Sequence, residues 1–78
     1  MSHTPHEILA EFPEHADKIH ALRQANAHFA RLYDEYHEVN RSVHRAETDL
    51  EPRSDADVES LRKQRMRLKD EIYALLTH

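Results

Sequence analysis

Glycine and cysteine are both absent from this sequence of 78 residues, and proline occurs only three times. Without cysteine, the chain cannot form disulfides, thiolate metal sites or a cysteine nucleophile. Without glycine, it lacks the residue that most readily adopts the positive φ of tight β-hairpin turns, and it has no glycine-rich loop to hold a phosphate. These absences disfavour a β-rich fold and leave helices as the expected structure.

Long apolar runs are missing as well. No stretch approaches the roughly 18 consecutive apolar residues that identify a membrane-spanning helix. The first ten residues contain no basic region followed by an apolar stretch, which is the pattern of a secretory signal. We therefore expect no membrane association and a cytoplasmic location.

The charge is acidic overall but uneven along the chain. A net charge of -4, with histidine neutral, argues against a general nucleic-acid binder, whose surface is usually basic. Residues 1–52 carry five Lys or Arg against ten Asp or Glu, and residues 53–78 carry six against five, so that -5 and +1 add to -4. An acidic part followed by a mildly basic one is consistent with helices that pack together.

Proline organises the beginning of the chain. Thr4 can cap a helix that begins at Pro5, and Glu7 suits the reciprocal position of a capping box. Pro13 disfavours helical geometry at Phe12 and interrupts that pattern, but it can itself open a second helical stretch. The sequence therefore predicts an N-terminal helical segment over residues 5–24.

Two heptad stripes follow. Asn26 is a good N-cap, and whether the chain breaks there or continues with a kink is left open by the sequence. Apolar residues that alternate three and four apart predict a helix over residues 27–50. This first stripe consists of Phe29, Leu32, Tyr36, Val39, Val43, Ala46 and Leu50. A second helix is predicted over residues 55–76, with Ser54 as its cap. Its stripe consists of Val58, Leu61, Arg65, Leu68, Ile72 and Leu75.

The connection over residues 51–54 is so short that the two helices must fold back on each other. The predicted fold is all-α: a single domain over residues 1–78, in which a coiled-coil-like antiparallel hairpin receives the short N-terminal segment at its open end. Arg65 is the polar exception in the stripes and should lie across from Val39 to Val43. Its head group then reaches solvent or Asn40, or it specifies register or partner choice.

Several large side chains fall outside the stripes. Two helices alone leave each stripe half covered, and so short a chain has little core. We therefore expect self-association, binding to a larger protein, or both. The open end of the hairpin would receive either the N-terminal segment or another copy of the chain. The predicted partner contacts are Phe12, Ile19, Leu22, Tyr33, Tyr73 and Leu76.

The chain contains histidines and carboxylates, but their spacing does not suit a metal site or acid–base catalysis. No two of the eight histidines lie four residues apart, the helical spacing of a zinc-ligand pair. The carboxylates are typical of solvated faces, because a helical hairpin offers no obvious pocket that would shift their pKa values. We expect no catalytic residue, metal, cofactor or small-molecule substrate. A further hypothesis is pH sensing, because several histidines gain charge together below about pH 6.5.

Basic residues in the last helix are the only candidate contact for nucleic acid. They spread around much of the helix, Asp70 and Glu71 dilute them, and no interleaved aromatic residues offer base stacking. A solvated face or contact with an acidic protein partner is favoured. Nucleic-acid association is the alternative function and would show a steep salt dependence. The residues concerned are Arg62, Lys63, Arg67 and Lys69.

Four blocks of the sequence are similar to a known family. They are Phe12-Pro13-Glu14, Ile19-His20-Ala21-Leu22, residues 26–32, and the closing block over residues 61–73 with its Leu-Lys-Asp-Glu element. Together they resemble the YdcH-like family of short bacterial proteins, from about Glu11 to Leu76. This resemblance implies a cytoplasmic, helical, bacterial protein. The family is a domain of unknown function, so the resemblance implies no catalytic residues.

Overall fold

The computed structural model describes residues 6–48 and 54–77, which form α-helices, one 3₁₀ turn and no strand. The elements are α1 (Ile8–Glu11), the 3₁₀ turn (Pro13–His15), α2 (Ala16–Ala25), α3 (Ala27–Glu47) and α4 (Asp55–Leu76). Contacts between residues 47 and 62 and between residues 40 and 65 show that α3 and α4 run antiparallel. The predicted all-α helical hairpin is confirmed.

Side-chain caps define where the two long helices begin. The backbone at Asn26 is extended, with φ -129° and ψ 106°, and its Oδ1 accepts a hydrogen bond from the Phe29 N–H at 3.0 Å. The Ser54 Oγ accepts one from the Asp57 N–H at 3.2 Å. Each cap satisfies an amide that the first helical turn leaves without an intrahelical acceptor. The chain therefore breaks at Asn26 rather than continuing with a kink.

A second break separates α1 from α2. Phe12 has φ -129° and ψ 60°, outside the helical region, and Pro13 begins the 3₁₀ turn. The proline ring restricts the residue before it, which is why the first helix stops there. The segment predicted over residues 5–24 is thus divided into short pieces and ends at Ala25. Thr4, the predicted cap, and Pro5, the predicted first helical residue, lie outside the described residues.

The end of α3 differs from the predicted boundary at residue 50. The helix ends at Glu47, and the Thr48 hydroxyl donates to the carbonyl oxygens of His44 at 2.9 Å and Arg45 at 3.3 Å. A short polar side chain that bonds nearby carbonyls competes with continuation of the helix. Leu50 and residues 51–53 of the predicted turn lie outside the part of the chain that the structure describes.

The core is built by three layers, not by the hairpin alone. Ile8 from α1 and Ile19 from α2 are both 0% exposed. They cover the apolar face that α3 and α4 leave open, so the N-terminal segment packs on the hairpin as the sequence predicts. The core cluster consists of Ile8, Ile19, Phe29, Leu32, Tyr33, Tyr36, Leu68, Ile72 and Leu76.

This third layer broadens the buried face of both long helices. Tyr33 and Asn40 on α3 are buried although neither lies in the predicted stripe. On α4, Leu76 is buried and Leu75 is only partly buried. The apolar stripe predicted from the sequence contains Leu75 and leaves Leu76 outside it. An a/d stripe is the contact surface for one neighbouring helix, whereas contact with two neighbours needs a wider face.

A polar contact fixes the register between α3 and α4. The Arg65 Nη1 donates to the Asn40 Oδ1 at 3.0 Å, and the Asn40 residue is 1% exposed. The expectation that the Arg65 head group reaches Asn40 is confirmed. Because a buried amide is costly to separate from a charged donor, sliding one helix along the other is unfavourable. Closer to the turn, the exposed Arg62–Glu47 ion pair at 2.6 Å adds little stability.

Leu68→Ala should lower the free energy of unfolding by about 2–5 kcal/mol, because Leu68 is buried where α4 meets the core. Urea unfolding followed by circular dichroism measures this. Met66→Ala is the matched control on the same helix, since Met66 is exposed, and it should change stability by no more than about 0.5 kcal/mol. Equal midpoints for the two variants would show that Leu68 does not face a core.

The Asn40–Arg65 contact should appear as a coupling free energy of about 0.5–3 kcal/mol in a double-mutant cycle of Asn40→Ala and Arg65→Ala. Urea unfolding of the four proteins in the cycle gives the value. A cycle on the exposed Glu47–Arg62 pair is the control, with an expected coupling below about 1 kcal/mol. Additive effects at Asn40 and Arg65 would contradict the register described above.

Candidate interaction surface

Met66 and Tyr73 are the large apolar side chains most exposed among the described residues, at 66% and 47%. They lie two helical turns apart and therefore on the same side of α4. The side chains around them are polar and mostly cationic. We call this surface the α4 outer face, and it consists of Arg62, Lys63, Met66, Arg67, Lys69, Asp70 and Tyr73.

The α4 outer face is positive on a chain of negative net charge. It carries four cationic side chains and one carboxylate, and the exposed Glu59, two turns before Met66, adds a second carboxylate on the same side. The chain as a whole has a net charge of -4. Arg62 is paired with Glu47, and the Lys69 Nζ lies 2.6 Å from the Glu11 Oε1. Within the described residues, Lys63 and Arg67 have no ion-pair partner. These two cations are therefore available to an incoming acidic group.

One end of the α4 outer face is covered by an aromatic contact from the N-terminal segment. The Phe12 ring stacks on the Tyr73 ring, with centroids 5.3 Å apart and planes 25° apart. His15 adds an edge contact to Tyr73 at 6.4 Å, and the Lys69 Nζ lies 5.8 Å from the Phe12 centroid. The non-helical backbone at Phe12, imposed by Pro13, turns this ring away from the axis of α1 and onto α4.

The same contact shows which chemistry this surface accepts. Glu11 and Phe12 place a carboxylate on Lys69 and an aromatic ring on Tyr73. They are neighbours in the sequence, so a single short segment supplies both contacts. The α4 outer face thus already binds one acidic and aromatic segment within its own chain.

An open groove of about 480 Å³ runs between the start of α1 and α4, and Tyr36, Met66 and Lys69 contribute to its lining. The Tyr36 hydroxyl donates to the His6 carbonyl oxygen at 2.5 Å, and burial raises the pKa of Tyr36 to about 12. The hydrogen bond from Lys69 lowers the pKa of Glu11. Both groups therefore keep one protonation state near neutral pH, the phenol neutral and the carboxylate charged.

The structure separates the six predicted partner contacts into two groups. Ile19, Tyr33 and Leu76 are buried against their own chain and offer no surface to a partner. The N-terminal segment occupies the open end of the hairpin and is one of the two occupants that the sequence left open there. Phe12 and Leu22 are partly buried against the core, and Tyr73 is exposed. The contact surface predicted at the open end therefore remains only around Tyr73 and the edge of Phe12.

Tyr33 and Tyr73, which the sequence places in one cluster, lie in different ones. Tyr33 contacts Phe29 and stacks on His37 at 4.4 Å, while the Arg23 guanidinium lies 4.2 Å from its ring centroid. Tyr73 instead contacts Phe12 and His15. The division arises because α2 packs on α3 and the turn before it packs on α4.

The predicted basic residues do share a surface with exposed apolar groups. Arg62, Lys63 and Arg67 are exposed, and Lys69 is partly buried beside Glu11. Met66 was not predicted as a contact, although its position among cations and outside the apolar stripe is a signal that the sequence contains. No local pattern indicates the pairing of Lys69 with Glu11, because the two residues are distant in sequence.

The histidines and carboxylates of residues 6–48 and 54–77 include no group of three that could hold a metal ion. In the same part of the chain, no helix combines the length and apolar character needed to cross a membrane.

Stability should fall at acidic pH partly through Glu11. Folding lowers the pKa of this carboxyl below its ordinary value of 4.5. Its contribution to the free energy of unfolding is therefore complete above pH 4.5 and is lost as the pH falls through the lower pKa of the folded state. Thermal unfolding between pH 7 and pH 3 should show a smaller acid-induced loss for Glu11→Gln than for the natural sequence. Glu71→Gln, at an exposed position on α4, is the control. Identical pH profiles for Glu11→Gln and the natural sequence would contradict the role given to the Lys69–Glu11 pair.

Comparisons with known proteins agree with the resemblance carried by the sequence blocks. Residues 29–76 match the family described as "Protein of unknown function (DUF465)". The chain is 32% identical over 65 residues to "Uncharacterized protein YdcH" of Escherichia coli (strain K12), which covers 83% of this chain and 88% of that protein. The YdcH protein of Shigella flexneri gives the same identity and coverage. No solved structure matches the chain significantly.

The family match begins at Phe29 near the start of α3 and ends at Leu76, the last residue of α4. It therefore spans the described hairpin except for Ala27 and His28, and it includes the α4 outer face. The similarity to YdcH extends over most of the chain. This protein accordingly belongs to the YdcH-like family, described as DUF465, whose function is unknown.

Proposed function

We propose that this protein is a helical interaction module that binds an acidic, amphipathic helix of a larger protein on its α4 outer face. The observation that carries the proposal is the exposure of Met66 and Tyr73 on one side of α4, among four cationic side chains. Full burial of a side chain such as Met66 is worth about 1.5–3 kcal/mol, which gives a partner helix an apolar anchor.

Charge complementarity selects the chemistry of the partner. Lys63 and Arg67 have no ion-pair partner within the described residues, so acidic side chains flanking an apolar residue would find both a contact and a charge there. The Glu11–Phe12 segment supports the same conclusion, because it already places a carboxylate and an apolar ring on this face. A partner helix that repeats this combination would extend the existing contact toward Met66.

Binding of a second copy of this chain is less well supported than binding of a different protein. The expectation of an oligomer rested on apolar stripes left half covered by a two-helix hairpin. Ile8 and Ile19 cover much of that surface within the chain, so the need for a second copy is reduced. A second copy bound on the α4 outer face is therefore one outcome of the test.

Nucleic-acid association is the second candidate, because the same four cations could contact phosphates. Glu47 and Glu11 already neutralise two of them, Arg62 and Lys69. Phe12 also stacks on Tyr73, which leaves less of that ring for a base. We therefore place the acidic protein partner first. The proposal assigns a binding role and no catalytic role, and it places the protein in the cytoplasm because the YdcH-like resemblance implies that compartment.

A photo-crosslinking amino acid at position 66, incorporated in the native host, tests this function. The expected product is a nuclease-resistant adduct with one protein, crosslinked through a helical segment rich in Asp and Glu. The matched control places the same group at position 38, where Glu38 is exposed on α3. Lys63→Glu with Arg67→Glu should weaken binding of the identified partner about tenfold, since losing two surface ion pairs costs about 1–2 kcal/mol.

Other outcomes separate the candidates. An adduct with nucleic acid, removed by nuclease and lost at moderate salt, would replace the proposal with the second candidate. An adduct with another copy of the chain, supported by a dimer in sedimentation, would establish self-association instead. Equal labelling from positions 66 and 38 would show that the α4 outer face is an ordinary solvated surface.

A further inference from the structure

His37 lies in an aromatic cluster on α3 that its protonation would disturb. Its ring stacks on Tyr33 at 4.4 Å with planes 24° apart, and it meets the Tyr36 ring edge-on at 5.7 Å. The Nε2 atom is buried and has no hydrogen-bond partner among the described residues. Of the six histidines within the described residues, His37 is the one whose ring has a buried nitrogen without a hydrogen-bond partner.

A neutral imidazole tolerates this environment, but a protonated one does not. The neutral ring can carry its single proton on Nδ1, which leaves Nε2 as a lone pair that needs no acceptor. The protonated ring carries hydrogen on both nitrogens, so that a buried N–H would point at no acceptor while the new charge lost part of its hydration. Burial is accordingly the main cause that lowers the pKa of His37.

The charged groups that face His37 come from three elements and are balanced in sign. They are Glu7 at the start of α1, Arg23 on α2, and Asp34 and Arg41 on α3. Two carboxylates and two guanidinium groups leave no excess of negative charge that would stabilise an imidazolium. Burial raises the pKa of the neighbouring Tyr36 to about 12, so its phenol is neutral near physiological pH.

His37 is linked to the docking of the N-terminal segment through Tyr33. The Arg23 guanidinium lies 4.2 Å from the Tyr33 ring centroid, a cation–π contact that joins α2 to α3. Protonation of His37 would place a second cation against the same ring and close to the first. The contacts between α3 and α4, by contrast, include the Asn40–Arg65 hydrogen bond and the Glu47–Arg62 pair, which do not involve His37.

We propose that His37 is a proton-operated latch, whose protonation releases α1 and α2 from the hairpin and uncovers the apolar surface around Phe29. The released state takes up a proton more readily than the docked state, so docking weakens as the pH falls below about 6.5, the ordinary pKa of histidine. The docking equilibrium constant falls by up to about tenfold for each pH unit between about 6.5 and the lower pKa that His37 has in the docked state. Below that lower pKa, a further fall in pH does not weaken docking any more through His37.

Spin labels on α2 and α4 test the latch, and the cysteine-free sequence allows labelling at chosen positions. Ala21→Cys and Ala74→Cys both replace exposed residues. Pulsed electron paramagnetic resonance should give one narrow distance at pH 7.5 and an added, longer and broader population at pH 5.0. In the same background, His37→Gln should remove the pH response, while His28→Gln, at an exposed position on α3, should retain it.

A second measurement on the unmodified chain guards against a His37→Gln variant that does not fold. Nuclear magnetic resonance should show that the His37 ring titrates below about pH 6.5, the ordinary pKa of histidine, and that helices α1 and α2 lose their docked signals with the same midpoint. Glu11 is not expected to interfere at pH 5, because its lowered pKa keeps the Lys69–Glu11 pair charged there.

Three results would overturn the latch. The first is an unchanged label distance at a pH where the His37 ring is fully protonated. The second is the same opening in the folded His37→Gln variant as in the natural sequence. The third is loss of the α3 and α4 signals together with those of α1 and α2, which would show global unfolding instead of release of one segment.

Discussion

The structure depends on one constraint: two amphipathic helices cannot bury their own apolar faces, so the hairpin needs a third layer. Ile8 and Ile19 provide it from the N-terminal segment. The breaks at Phe12 and Asn26 allow that layer to form, because a continuous helix through these positions could not fold back onto α3 and α4. The local effects of one proline and one asparagine therefore decide which surfaces of the hairpin are covered.

Packing of the N-terminal segment on the hairpin also determines which apolar side chains stay exposed. With the open end closed by its own chain, the protein retains Met66 and Tyr73 as exposed large apolar groups, and both lie on α4 among cations. The break at Phe12 also brings Glu11 and Phe12 to the edge of this surface, where they engage Lys69 and Tyr73. The packing on one side of the hairpin and the surface proposed for binding on the other thus both depend on the break at Phe12.

Heptad spacing and capping residues were sufficient to predict the hairpin, because they depend on local helix geometry. The same pattern could not predict how wide the buried face is, and it therefore placed Tyr33 and Leu76 on a partner surface although both are core residues. It identified the basic residues of α4 but missed Met66, whose exposure depends on which side of α4 the third layer covers. The pairing of Glu11 with Lys69 and the burial of the His37 Nε2 arise from tertiary contacts alone, so no local sequence pattern indicates them.

The most direct test of this account is hydroxyl-radical footprinting of the purified protein and of the protein in its native host lysate. In the purified protein, Met66 and Tyr73 should react readily and Phe29 should react little, because the N-terminal segment covers the core. In the lysate, Met66 and Tyr73 should become protected, while His28 on α3 should react as before. Equal reactivity of Met66 in both conditions would contradict the assignment of α4 as the binding surface. Strong labelling of Phe29 in the purified protein would contradict the three-layer core.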